Sequence, residues 1–108
     1  MNIIKMENVE GIVNKRGVVT KELIDIKEVR VINIALNPGD EVPEHKVPVE
    51  VFFFIVEGKG TLQIGSDKAV VQANDIITCP PNTVMSLKAD QGEKFSFLNV
   101  KTPSWKLQ

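Results

Sequence analysis

Among 108 residues there is one histidine, one cysteine, one tryptophan and no tyrosine, and these scarcities exclude several chemistries before any fold is considered. A lone cysteine, Cys79, rules out an internal disulfide framework and paired zinc cysteines. Charge of one sign is missing too. Lys and Arg total 13 against 14 Asp and Glu, spread along the chain, so no field favours nucleic acid or an anionic membrane. The phenylalanines lie in apolar runs without neighbouring arginines, which excludes a base-stacking platform. The longest apolar run, Val51 to Val56, falls far short of the about 20 residues that span a bilayer. No basic start followed by an apolar segment marks a secretory signal, and a cytoplasmic location is expected. A P-loop, a dinucleotide fingerprint and a Ser-His-Asp arrangement are absent.

What is present is short apolar runs between turn signals, with no helical stripe. The turn signals are Asn37-Pro38-Gly39-Asp40, Glu57-Gly58-Lys59-Gly60, Gly65-Ser66-Asp67, Pro80-Pro81-Asn82 and Asp90-Gln91-Gly92. Between them strands are expected at roughly 17–24, 28–36, 43–47, 49–56, 60–65, 68–73, 75–79, 83–89 and 94–101. So many short strands favour a closed sandwich or barrel over a flat sheet with bare edges. One domain spanning 1–108 is expected at this length. Leu62 and Ile64 alternate with Thr61 and Gln63, as on a strand with one wet face. "VFFFIV" is apolar on both faces: one should fill the barrel and the other should meet a second sheet or a second subunit. Phe52 and Phe54 lie on that other face, and a homodimer through it is the expectation. The first dozen residues are weakly patterned, and "TPSWKLQ" reads as a tail whose Trp105 docks on a surface.

The stretch "PGDEVPEHKVPVEVFFFIVEGKG" carries a resemblance. With Gly39, His45, Gly58 and Gly60 it is similar to the first motif of the cupins, G(X)5HXH(X)3–4E(X)6G, over about 39–60. "NDIITCPPNTVMSLKA", over about 74–89, resembles their second motif, G(X)5PXG(X)2H(X)3N, with Asp75 and Ile76 in the turn, Pro80 at the proline position and Asn82 at the glycine position. The resemblance implies an all-β double-stranded β-helix, a jelly-roll barrel. It also implies metal ligands at four positions, and only His45 is a ligand here: the second histidine falls on Val47, the glutamate on Val51 and the second motif's histidine on Met85. Glu50 stands one residue before the glutamate position, and a shift of one on a strand turns a side chain to the opposite face. Glu50 and Glu44 are therefore expected to point outward.

A catalytic metal site commonly needs three protein ligands, and a two-histidine, one-carboxylate iron site needs a second histidine. No metal and no other cofactor is expected. Cys79 could pair with His45 as a weak zinc site or as thiolate and base, or pack as a small apolar residue, which the sequence favours. Alternation points His45, Val47, Val51 and Phe53 inward from one side and Met85 and Leu87 from the other. That lining suits a small apolar or weakly acidic molecule reaching His45, and equally a filled interior. The leading expectation is a metal-free binding or structural barrel, uncertain as an enzyme. The alternative is a small cupin enzyme, with unusual metal ligands or with His45 as the base of a metal-free isomerase.

Overall fold

The structure, a computed structural model, describes residues 1–106; Leu107 and Gln108 of the tail lie outside them. After a single 3-10 turn at Met6–Asn8 come nine strands among the described residues. They are β1 (Ile12–Val13), β2 (Val19–Ile26), β3 (Val29–Leu36), β4 (Glu41–His45), β5 (Glu50–Ile64), β6 (Asp67–Gln72), β7 (Ile76–Cys79), β8 (Met85–Ala89) and β9 (Phe95–Thr102). One sheet runs β1-β2-β3-β9-β5-β7 and the other β4-β8-β5-β6, all antiparallel, with β5 common to both. The two curl face to face as a jelly-roll barrel, the closed form that the strand pattern favoured and the topology that the resemblance implied. No described helix is long and apolar enough to cross a membrane.

The expected strands at 49–56 and 60–65 are one strand. Glu57-Gly58-Lys59-Gly60 has turn composition, but β5 passes through it with a register shift between Ile55 and Glu57. Gly58 sits there at φ +82°, and a Cβ on it would overlap the Lys94 carbonyl oxygen. A Cβ on Gly60 would come within 2.6 Å of the Phe95 ring. The glycines thus serve close approach of β8 and β9 while a bulge turns β5 from one sheet into the other. The expected strand at 43–47 begins and ends earlier. Pro48 has no N–H to continue the ladder, and the Val47 carbonyl instead accepts from the Asn82 N–H at 2.8 Å.

Burial along β5 alternates: Val51, Phe53 and Ile55 are buried, while Phe52, 37% exposed, lies on the outer face with half-buried Phe54. The inner face joins one cluster holding Leu36, Phe53, Leu62, Met85, Leu87, Phe95 and Phe97. Phe53 meets Phe97 edge to face, centroids 5.8 Å apart, and Phe95 lies 5.2 Å from Phe97. Trp105 of the tail packs against the same cluster.

Candidate functional site

The β4–β8 ladder aligns Val42 with Leu87 and His45 with Met85, so an extra residue is bulged between them on β4. Strict alternation from Val42 would bring Glu44 inward; the bulge substitutes His45. Accordingly Glu44 is exposed and His45 half-buried. Pro43 occupies the bulge because β4 is an edge strand, where a missing N–H costs no ladder bond. The Pro43 carbonyl lies 3.0 Å from His45 Nδ1. A carbonyl only accepts, so this contact favours the tautomer in which Nδ1 carries the proton and Nε2 keeps its lone pair.

Val47, Val51, Phe53, Met85 and Leu87 all belong to the buried cluster, with His45 beside Met85. Val51 aligns with Cys79 across β5 and β7, and Glu50, one residue earlier, is exposed. Cys79 Sγ faces the carbonyls of Pro80 and Thr83 at 3.6 and 3.8 Å. Burial, and secondarily Glu50, push its thiol pKa up, which keeps it protonated and poorly nucleophilic.

Two features escaped the sequence reading. A cavity of about 340 Å³ opens between β6 and β7, which pair with β5 in different sheets and not with each other. Leu62, Ile64, Ala69, Val71 and Ile77 wall it, and Leu62 and Val71 are members of the buried cluster. The second feature lies on the inner face of the larger sheet. Asp25, Arg30, Lys101, Val51 and Cys79 align across five strands, with Asn99 in the next row. Lys101 is 8% exposed and donates to Asn99 Oδ1 at 2.9 Å. Burial first, and then Arg30, lower its pKa to about 8. The alternation of "FSFLNVKT" held the signal: a face begun by Phe95 and Phe97 continues through Asn99 and Lys101.

A family model described as "Cupin domain" matches residues 33–101. The chain belongs to the cupin family. Solved cupin-like structures agree in fold: an RmlC-like cupin from Shewanella frigidimarina has a TM-score of 0.85 at 18% identity, covering 93% of this chain and 88% of that one. KdgF from Halomonas sp. has a TM-score of 0.89 at 11% identity, covering 98% and 96%. A predicted oxalate decarboxylase from Thermotoga maritima gives 0.83 at 21% identity, covering 95% and 100%. No curated protein matches the sequence.

The cupin frame raises the question of a metal, and the donor set does not fit one. Three of the four expected positions carry Val47, Val51 and Met85, packed into the hydrophobic cluster. Among the described residues no three His, Cys, Asp or Glu side chains gather as a metal site. Valine offers no lone pair and a thioether only a soft, weak one, so His45 would hold an ion almost alone.

Proposed function

We propose that this cupin is a metal-independent barrel that binds a small molecule with an apolar body. The observation that carries the reading is the cavity between β6 and β7, where the buried cluster is reached from outside. Its volume of about 340 Å³ suits a small ligand, and pockets of this kind combine apolar walls with few polar groups. Asp67, the cross-strand partner of Ile64, supplies a polar group to the cavity with Lys68 and Thr78, and Met85 links Ile64 to His45 across the ladder. The fold chooses no reaction, since one scaffold hosts unrelated chemistries.

The test is a backbone-amide NMR titration with cyclohexanol as probe. Saturable shifts at Leu62, Ile64, Val71 and Ile77 are expected, lost in Ile77→Trp, whose indole fills the cavity. Elemental mass spectrometry of tag-free protein from metal-supplemented medium should find far less than one metal per chain. Near-stoichiometric metal, or shifts scattered without saturation, would overturn the reading.

A second reading, a metal-free acid–base enzyme, is favoured by the Pro43 contact that directs the lone pair to Nε2 of His45. Turnover that survives His45→Ala would remove it.

The same proposal includes a homodimer. The outer face of the larger sheet carries the row Ile24, Val31, Val100, Phe52 and Thr78, beside Leu98 and Phe54. This row has no charge to attract a charged partner, and a two-fold axis would set two identical apolar patches together.

A further inference from the structure

We infer that Lys101, Asn99 and Arg30 form a binding site for a small aliphatic carboxylate on the inner face of the larger sheet, beside the tail that carries Trp105. Lys101 is a buried cation whose only hydrogen-bond partner among the described residues is a neutral amide, itself 4% exposed. An ammonium has three donors, so two N–H groups are left for a ligand. The neighbouring carboxylates are already engaged. Glu22 accepts from Arg30 Nε at 3.1 Å and lies 3.5 Å from Lys106, while Asp25 lies 2.6 Å from Lys106. Arg30 and Lys106 thus take up both carboxylates, which leaves Lys101, in no ion pair among the described residues, as the unmatched buried cation.

One surplus positive charge calls for one negative charge, which favours a carboxylate over a phosphate beside Asp25 and Glu22. Val51 and Phe53, the inward neighbours of Lys101 and Asn99, make the floor apolar and suit an aliphatic body. Access is on the β3 side: Ile32 and Ile34 on this face are half-exposed, whereas their β9 partners Asn99 and Phe97 are buried. The tail runs along this side as a strap tied to β2. Ser104 Oγ donates to Asp25 Oδ1 at 2.8 Å, and Trp105 packs on the core.

Trp105 is the only tryptophan and there is no tyrosine, so intrinsic fluorescence reports on this strap alone. The experiment titrates the full-length protein with sodium butyrate, with sodium chloride at equal ionic strength and 1-butanol as controls. Butyrate alone should change Trp105 emission saturably, and Lys101→Met should abolish the change while Lys101→Arg retains part of it. Affinity should fall roughly tenfold per pH unit above about 8, as the amine loses its proton. Of the charged groups on this face, Arg30 on β3 is the cross-strand partner that acts on Lys101, while Asp25 and Glu22 on β2 and Lys106 on the tail lie beyond Arg30. Cys79 stands beyond Val51, and His45 is on the opposing sheet. An equal response to chloride, an equal response to butanol, or a pH-independent affinity would each overturn the site, and the pH series in the unmutated protein holds even if Lys101→Met fails to fold. The cyclohexanol titration reads the cavity between β6 and β7, away from this row, so either result stands without the other.

Discussion

Lys101 makes the fold less stable while its amine is charged, because the unfolded chain solvates that charge fully. Its pKa falls from 10.5 to about 8 on folding, so between these values the unfolded state binds more protons and stability rises with pH. The difference is on the order of 3 kcal/mol for a shift of this size. Urea unfolding at pH 7 should therefore find Lys101→Met more stable than the parent by about 2–3 kcal/mol, without its share of the rise above pH 8. An equally or less stable variant would mean that the amine is solvated. Glycines divide on the same physical grounds. Gly58 and Gly92 both have positive φ, but only Gly58 is pressed against backbone. Gly92→Ala should cost about 1–2 kcal/mol for the left-handed conformation alone, and Gly58→Ala at least about 3 kcal/mol, measured by the same denaturation.

At the scale of elements, the strap is held by ionic contacts at its end and by an apolar contact in its middle. Asp25→Ala removes the acceptor of Ser104 and the nearer of the two carboxylates on Lys106 but leaves Trp105 on the core. Those contacts are solvent-exposed, so the unfolding midpoint should hardly move, while acrylamide quenching of Trp105 rises. Unchanged quenching would mean that core packing alone holds the strap. The Lys106 contact also lowers the Asp25 pKa, so its contribution is present above the ordinary carboxylate range and lost as pH falls through the lowered value. Elements also mark where sequence reading stopped. β2, β3 and β9 were legible because period-two patterns and Gly or Pro boundaries are local. β5 was not legible as one strand, because Glu57-Gly58-Lys59-Gly60 is a turn by composition and a bend only by its contacts with β8 and β9.

For the molecule as a whole, the exposed face around Phe52 is the feature that isolation of one chain does not satisfy. Phe52→Glu sets a charge at the centre of the proposed two-fold contact, where its twin would repel it. Light scattering at micromolar concentration should give twice the chain mass of 12.0 kDa for the parent and 12.0 kDa for the variant. The unfolding midpoint of the parent should also rise with concentration. A parent that scatters as a monomer would leave Phe52 an exposed side chain and nothing more.

Chain chemistry over a few residues was enough to read strands, most turns and a closed sandwich or barrel, and the resemblance to the cupins added the jelly-roll class and the expected ligand positions, which fall on Val47, Val51 and Met85. These depend on side-chain alternation, on φ preferences and on whether a side chain has a lone pair, all properties of a residue and its neighbours. Sites depend on residues far apart. The β4 bulge that brings His45 inward is fixed by pairing with Met85, and the cavity between β6 and β7 exists because β5 changes sheets. Lys101 becomes an isolated buried cation only once β3 lies beside β9, and the strap reaches Asp25 across 79 positions of sequence. Burial and electrostatic surplus are properties of what surrounds a group in space, so they arise when the barrel closes.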